Sequence, residues 1–192
     1  MTHSPLPLRL LIIIASTREN RIGPTVARWF HGVARERTEF RVELLDLLEA
    51  GLPDRLSRQR PAEVETVGEQ IQNADGFIVV TPEYNHSFPA PLKTAIDWFK
   101  PEWMAKAVGF VSYGGISGGL RSVEQLRVVF AELHAVTLRD TVSFAMVHRK
   151  FEEDGTLLDP EIPVKAAAIL LDRMVWWAGA LREARRESPY AR

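Results

Sequence analysis

The feature that most constrains the fold is a set of short, continuous apolar runs that recur along the chain. Leu10–Ile14, Phe77–Val80 and Val108–Val111 are apolar almost throughout, and each is followed by small or turn-forming residues. Strands that are apolar on both faces are typical of a parallel sheet covered by helices on both sides. Phe40–Leu47 and a stretch within 136–147 supply two further strands, so the chain predicts a sheet of five.

Segments with apolar residues at helical spacing separate these predicted strands. The first helix is predicted to begin at Pro24, a residue favoured in the first helical turn, and to bury Phe30. A regular alternation of strand and helix with short connections predicts an α/β domain with right-handed crossovers. We expect one domain over residues 1–192, with frayed ends at 1–7 and 187–192.

Composition excludes several classes of function. The 192 residues carry 24 Lys plus Arg and 25 Asp plus Glu, a formal net charge of -1, so no bulk charge favours nucleic acid or anionic membrane. No apolar run approaches the roughly 20 residues that cross a bilayer. The absence of cysteine excludes disulfides, thiolate metal sites and cysteine nucleophiles. Because residues 1–7 do not resemble a secretory signal, we expect a cytoplasmic protein.

Three loops are predicted to lie at the same edge of the sheet. In open α/β sheets, ligands bind beyond the carboxyl ends of the strands, where the strand order reverses. Ser16–Thr25, Thr81–Pro91 and Ser112–Gly119 each follow a predicted strand and are rich in glycine, proline or hydrogen-bonding side chains. Three unusual loops on one rim indicate a ligand site more strongly than any one of them does.

The first loop leads into a helix N-terminus, where free N–H groups and the helix dipole favour an anion. Ser16 and Thr25 supply hydroxyl groups, and Arg18 and Arg21 supply charged, planar donors. The loop lacks the lysine-serine/threonine ending of a P-loop and the three glycines of a dinucleotide fingerprint. Two interpretations stay open, a phosphate site and an ordinary turn with solvent-facing arginines.

The second and third loops differ in stiffness. Three prolines follow Thr81, and this rigid segment carries Tyr84 and Asn85, which favours a flat aromatic ligand. Glu83 and His86 lie in the same segment without a catalytic partner at readable spacing, so neither is assigned a catalytic role. The third loop contains four glycines, which permit close approach of backbone and ligand. Without a ligand, the second loop would be a proline-punctuated turn and the third a flexible glycine turn, and these alternative interpretations stay open.

Taken together, these loops closely resemble those of the NADPH-dependent FMN reductase family, which includes bacterial quinone, azo-dye and chromate reductases. The motifs that carry the resemblance are Ser16-Thr17-Arg18, Thr81-Pro82-Glu83-Tyr84-Asn85, and Ser112-Tyr113-Gly114-Gly115 followed by Gly118-Gly119 and Arg121. The resemblance implies a flavodoxin-like three-layer sandwich. Its five-stranded parallel sheet would have the order 2-1-3-4-5, with helices on both faces.

The resemblance further implies that the chain binds FMN and takes NADPH or NADH as its co-substrate. The FMN phosphate would lie in the first loop, and the isoalloxazine ring between the second and third. The implied cofactor-binding residues are Ser16, Arg18, Arg21, Ile22, Gly23, Pro24, Thr25, Pro82, Glu83, Tyr84, Asn85, Ser112, Tyr113, Gly114 and Gly115. The chain departs from the family pattern at Ala15, where glycine is common, and at Arg21 and Gly23, where polar residues are common. The expected phosphate site is therefore more positively charged than usual.

The implied activity is hydride transfer from NAD(P)H to the flavin and then to a flat or small acceptor, such as a quinone, an azo compound, free flavin or a metal oxyanion. Because the flavin carries this chemistry, no catalytic acid or base and no metal ion is expected. The family also implies a homodimer or homotetramer. Trp98, Phe99 and Trp103, or Trp176 and Trp177, could form its interface or belong to the core.

Three alternatives remain at this stage. The first is a flavodoxin-like electron carrier or another non-enzymatic FMN-binding protein, against which the near-zero net charge argues, because such carriers are usually strongly acidic. The second is a non-redox domain that binds a different phosphorylated ligand. The third is a reductase that uses FMN as a loosely bound substrate.

Overall fold

The computed structural model describes residues 6–190, which form one parallel sheet with helices on both faces. The strands are β1 (Leu8–Ile14), β2 (Phe40–Asp46), β3 (Gly76–Pro82), β4 (Ala107–Tyr113) and β5 (Val136–Phe144). The helices are α1 (Gly23–Arg35), α2 (Leu47–Ala50), α3 (Ala62–Asn73), α4 (Ala90–Trp98), α5 (Leu120–Glu132) and α6 (Glu161–Glu187), with a 3₁₀ turn at Val147–Arg149. None of the helices within 6–190 is long and apolar enough to span a membrane.

The strand order is β2-β1-β3-β4-β5, and all neighbouring strands pair in parallel. Ile12 of β1 pairs with Leu44 on one side and Ile78 on the other, which places β1 inside the sheet. Every residue of β3 and β4 is buried. The predicted five-stranded sheet and its order 2-1-3-4-5 are therefore confirmed, as is the interpretation of the continuous apolar runs as strands covered on both faces.

Two apolar cores lie on opposite faces of the sheet. Ile12 belongs to the first core, together with Phe30 of α1 and Leu170 of α6. Its neighbour Ile13 belongs to the second core, together with Leu126 of α5 and residues of α3 and α4. This alternation follows from strand geometry, because successive side chains point to opposite faces. Burial on both faces fixes the carboxyl ends of β1, β3 and β4 side by side.

Several elements differ from the sequence prediction at their ends. β1 begins at Leu8, two residues earlier than the predicted run, because Leu8 pairs with Phe40 of β2. The short helix α2 was not predicted, since four residues show no periodicity. Asp46 caps α2 by accepting the N–H of Leu48 at 3.0 Å, and Gly51, with a φ of 60°, ends it.

The two ends of the described chain are attached to the rest of the fold. Arg182 of α6 donates to the carbonyl oxygens of Leu6 and Pro7 at 3.0 and 3.3 Å. The Tyr190 hydroxyl lies 2.8 Å from Nδ1 of His134. Of the ends predicted to be frayed, residues 1–5 and 191–192 lie outside the described residues.

The aromatic residues considered for a subunit interface divide into two groups. Trp98, Phe99 and Trp103 are buried in the second core. In contrast, Trp176 of α6 is 63% exposed, and Trp177 beside it is half-buried. Within this set, the α6 pair is the part that a second subunit could reach.

Candidate cofactor site

The carboxyl edge of the sheet carries a pocket of about 570 Å³. That volume lies within the range of roughly 300–1,000 Å³ typical of small-molecule sites. Its lining residues are Arg18, Glu19, Asn20, Arg21, Ile22, Pro82, Glu83, Tyr84, Tyr113, Gly114, Gly115, Met146, Val147, His148 and Arg149. The three loops predicted to form a site thus meet in one pocket, and a fourth loop, after β5, joins them.

The first loop presents a row of free backbone donors. Within residues 6–190, no group accepts a hydrogen bond from the backbone N–H of any residue from 18 to 23, where α1 begins. Pro24 and Thr25, which the family resemblance also implies in cofactor binding, offer no free amide. Pro24 has no N–H, and that of Thr25 donates to Ile22 at 3.0 Å. Consecutive free N–H groups at a helix N-terminus favour an anion such as phosphate.

The two arginines of the first loop have different surroundings. Arg21 contacts both carboxylate oxygens of Asp46, at 2.6 and 2.7 Å, and also donates to the Ser16 carbonyl at 2.5 Å. The hydrogen bond to Asp46 raises the pKa of Arg21. Arg18 is exposed and has no hydrogen bond or ion pair to any of residues 6–190. The extra charge that Arg21 was expected to offer a phosphate is thus paired with Asp46, and Arg18 keeps a free guanidinium.

Ser16 lies beneath the pocket rather than in its lining. Its side chain is fully buried, and Tyr113 donates its hydroxyl to Ser16 Oγ at 3.1 Å. Burial raises the pKa of the Tyr113 phenol, so that group stays protonated as a donor. A Cβ at Gly23 would lie 2.3 Å from Ser16 Oγ, so the first loop packs this closely because residue 23 is glycine. By accepting the Tyr113 hydrogen bond, the Ser16 hydroxyl connects the first loop to β4, and its predicted contact with a phosphate stays a prediction.

The second loop contains a tight turn. Tyr84 and Ser87 exchange backbone hydrogen bonds at 2.9 and 3.0 Å. Asn85 and His86, between them, have φ values of 51° and 68°, as in a type I′ turn. Asn85 is exposed and is not part of the pocket lining, unlike Pro82, Glu83 and Tyr84.

Glu83 joins the second loop to the third loop and α5. Its side chain is 5% exposed. Its Oε2 atom accepts from Ser117 Oγ at 2.6 Å and from the Arg121 backbone N–H at 3.2 Å, while Oε1 accepts from Arg121 Nε at 2.5 Å. Burial by itself would raise the pKa of Glu83, but these bonds outweigh it and lower the pKa. The Glu83 carboxylate is therefore ionised, and both of its oxygens accept hydrogen bonds that hold the second loop to the third loop and α5.

His86 is held by the same helix. Arg121 Nη1 lies 2.6 Å from His86 Nε2, and Gln125 donates to the His86 carbonyl at 2.7 Å. Because a guanidinium can only donate, His86 Nε2 is the acceptor of this bond. These contacts give the second loop a fixed position on α5.

The glycines of the third loop serve two purposes. Gly118 and Gly119 have φ values of 62° and 86°, and Ser112 is buried and donates to the Gly118 carbonyl at 2.8 Å. These positions therefore close the loop. Gly114 and Gly115 line the pocket instead. A Cβ added to Gly115 would meet nothing within 4 Å, so it would fill space that is open to a ligand.

The fourth loop was missed by the sequence analysis. Met146, Val147, His148 and Arg149 line the pocket directly after β5. The end of β5 could not be located from the sequence, and this segment lacks the glycines and prolines that marked the other loops. The signal that could have identified it was the basic pair His148-Arg149 just beyond a predicted strand.

Comparison with known proteins identifies the family. A family model described as NADPH-dependent FMN reductase matches residues 8–149. An NAD(P)H-dependent FMN reductase of Schizosaccharomyces pombe is 38% identical over 120 residues, 58% of this chain and 60% of the relative. A probable NADPH:quinone oxidoreductase of Oryza sativa subsp. japonica is 32% identical over 177 residues, 85% of this chain and 89% of the relative. The chain spans about three fifths of the length of the Schizosaccharomyces pombe relative and of two further curated relatives.

A solved structure shows the same fold. FerB, a flavoenzyme NAD(P)H:(acceptor) oxidoreductase from Paracoccus denitrificans, aligns with a TM-score of 0.73 and 22% sequence identity, over 90% of this chain and 98% of that one. The match to the family model covers all five strands and the four loops of the pocket. This chain therefore belongs to the NADPH-dependent FMN reductase family.

Proposed function

We propose that the protein is an FMN-dependent NAD(P)H oxidoreductase that reduces a flat or small acceptor, such as a quinone, an azo compound, free flavin or a metal oxyanion. The observation that carries the proposal is the row of free N–H groups at residues 18–23, at one side of a pocket that continues between the second and third loops. Family membership supports the reaction class. Relatives named as an FMN reductase and a quinone oxidoreductase support the choice of acceptors.

The residues present fit FMN. The free amides of the first loop and the unpaired Arg18 provide donors and charge for its phosphate. Pro82 and Tyr84 on one side, and Gly114 and Gly115 on the other, leave space for a flat ring system. The absence of a Cβ at the last two positions allows close contact between backbone and ring.

When bound, FMN supplies a centre that accepts hydride from a reduced nicotinamide and passes the electrons on. The protein's own residues bind and orient the reactants. The turn between Tyr84 and Ser87, held by Arg121 and Gln125, gives one wall of the pocket a fixed shape. The first loop is likewise held in position, because Arg21 donates two hydrogen bonds to the Asp46 carboxylate.

No side chain of the pocket needs to act as a general acid or base. Glu83 lines the pocket, and its oxygens already accept bonds from Ser117 and Arg121. His86 is bonded to the same guanidinium. Both groups therefore position the second loop in this account, and neither transfers a proton during flavin reduction.

The assembly and the location of the protein are further parts of the proposal. A homodimer or homotetramer is supported by the family resemblance and by Trp176 and Trp177 on the outer side of α6. A cytoplasmic location is supported by the cysteine-free composition.

Titration of the apoprotein with FMN, FAD and riboflavin tests the proposed cofactor. FMN should bind most tightly, because the first loop offers its donors to a terminal phosphate. Quenching of flavin fluorescence provides the measurement. Equal affinities for FMN and riboflavin would show that the first loop does not bind the phosphate, and the proposal would lose its main support.

A further inference from the structure

The fourth loop of the pocket is as firmly held as the other three. Met146 donates its N–H to the Gly115 carbonyl at 2.8 Å, and Val147 donates to Gly114 at 3.1 Å. The side chain of Val147 is buried in the core between the sheet and α1. These contacts tie the fourth loop to the third, so its position is set by the pocket's own backbone.

Local hydrogen bonding also fixes the backbone that carries the next two side chains, those of His148 and Arg149. Val147–Arg149 form a 3₁₀ turn in which Arg149 donates to the Met146 carbonyl at 2.9 Å. Met146 itself has a φ of 51°, a left-handed conformation that is uncommon for a residue with a side chain. A strained residue ahead of a short turn is a feature that a folded protein keeps where the direction of the following side chains matters.

His148 and Arg149 have no partner within residues 6–190. Both are exposed and line the pocket, and neither makes a hydrogen bond or an ion pair through its side chain. Two arginines near the pocket behave differently, since Arg21 is bonded to Asp46 and Arg121 to Glu83. The fourth loop therefore contributes a guanidinium and an imidazole that line the pocket and have no side-chain partner in the described part of the chain.

The fourth loop also returns towards the first. The carboxyl ends of β1 and β5 are three strand spacings apart, about 14 Å. Beyond β5, however, the chain crosses to the N-terminus of α1, where a Cβ on Gly155 would lie 3.5 Å from Thr25 Cγ2. Free cations thus face the pocket from two loops, Arg18 from the first and Arg149 from the fourth. Glu19, the remaining carboxylate of the lining, is paired with neither.

From this arrangement we infer that His148 and Arg149 form a second phosphate-binding element of the pocket, in addition to the amides of the first loop. The inference rests on the proposed function, because it names which further groups bind the anionic part of a ligand there. A guanidinium binds a phosphate ester through two charge-assisted hydrogen bonds, and a neighbouring imidazole can add a third. The phosphate ester is either that of FMN or one carried by NADPH.

Two binding measurements on the Arg149→Ala variant, and on the double variant with His148→Ala, separate these sources. If the phosphate of FMN is bound, FMN affinity of the apoprotein falls about 10- to 100-fold, while riboflavin affinity stays the same. If a nucleotide phosphate is bound, the FMN-loaded protein loses a similar factor for adenosine 2′,5′-bisphosphate and little for AMP. Either result supports the inference.

Lys150→Ala is the matched control, because it removes a positive charge from the same segment outside the pocket lining. It should change none of these affinities by more than about twofold, as expected for a screened surface charge. Unchanged affinities in the Arg149 and double variants, with wild-type FMN binding intact, would overturn this inference and leave the proposed function standing. A wild-type apoprotein that binds neither FMN nor riboflavin would overturn both.

Discussion

The two edges of the sheet differ in how many of their charged side chains have a partner within the protein. At the amino edge, Asp75 accepts the backbone N–H of Arg9 at 2.9 Å and forms ion pairs with Arg182 and Arg185 of α6 at 3.4 and 3.5 Å. Lys106, buried beside them, donates to two carbonyl oxygens at the end of α3, at 2.7 and 2.8 Å. Each of these three cations therefore has at least one partner in the protein itself, although Nε of Arg182 is buried without an acceptor.

At the carboxyl edge, several donors are left free. Arg18, His148 and Arg149 have no partner within residues 6–190, and neither do the backbone N–H groups of residues 18–23. Arg18, His148 and Arg149 are exposed, so water can solvate their side chains and a ligand can replace that water. The comparison teaches that the same residue types stabilise the fold at one edge and remain open for a ligand at the other, according to whether a carboxylate or carbonyl oxygen of the protein lies beside them.

The largest effect on stability is expected at the amino edge, from Asp75→Asn. This change leaves two half-buried arginines without their counter-charge, and we expect the free energy of unfolding to fall by roughly 3 kcal/mol or more. Denaturant unfolding measures it. Asp172→Asn is the control, because its ion pair with Arg37 is largely exposed and should matter little. Equal losses in both variants would remove the distinction between a buried network and a surface pair.

The largest effect on binding is expected at the carboxyl edge, from Gly115→Val. The added side chain meets no protein atom but fills ligand space, so FMN affinity should fall at least about 100-fold, or roughly 3 kcal/mol, while the fold stays intact. Flavin fluorescence and circular dichroism measure the two quantities. Gly32→Val on α1, where a Cβ also meets nothing within 4 Å, should leave FMN binding unchanged. Undiminished binding in the Gly115 variant would place the flavin elsewhere.

A smaller loss of affinity is expected from Arg18→Ala. If the free guanidinium binds the phosphate, FMN affinity should fall by about 1.5–3 kcal/mol and riboflavin affinity should not change. Arg28→Ala is the matched control, because Arg28 lies outside the pocket lining and its bond to Thr25 is long, at 3.3 Å. If wild type and the Arg18 variant have the same dissociation constant for FMN, Arg18 does not bind the phosphate and only contacts solvent.

Lys106 makes the amino edge sensitive to pH. Burial lowers the pKa of Lys106 to about 7, below that of a lysine in the unfolded chain. Between these two values the unfolded state binds one proton more than the folded state, so stability rises with pH by up to about 1.4 kcal/mol per pH unit. Relative to Lys106→Met, the wild type should therefore gain stability between pH 7 and about 10. Lys165→Met, at an exposed position, should show no such trend.

The smallest effect is expected from Glu83→Gln. Because the carboxylate holds the second loop and transfers no proton, flavin reduction by saturating NADPH should keep its rate within about tenfold. FMN affinity should weaken modestly, since the bonds to Ser117 and Arg121 are altered. Stopped-flow absorbance isolates this step. A fall of two or more orders of magnitude, with FMN still bound, would match general acid–base catalysis and contradict the structural role.

Local sequence patterns predicted the sheet because β1, β3 and β4 are buried on both faces, which requires continuous apolar runs. They also predicted three loops of the pocket, since glycine and proline mark chain reversals after those strands. β5 is an edge strand with mixed burial, and its polar residues obscured where it ends. The fourth loop was missed for that reason.

Pairings between distant residues could not be predicted in this way. Glu83 and Arg121 are 38 positions apart, and Arg21 and Asp46 are 25 apart. No periodicity links such positions, and they meet because parallel strands bring successive loops to one edge. The resemblance to a family named several residues that line the pocket but did not show which of its arginines are already paired.

The central claim is that NAD(P)H reduces a flavin bound at the carboxyl edge without help from another protein. Its most direct test is the visible absorbance of the FMN-loaded protein, followed after anaerobic mixing with NADPH and, separately, with NADH. This account predicts that at least one of the nucleotides bleaches the oxidised-flavin band fully and that a quinone then restores it. A flavin that stays oxidised with both nucleotides, yet is reduced by dithionite, would contradict the account and indicate an electron carrier.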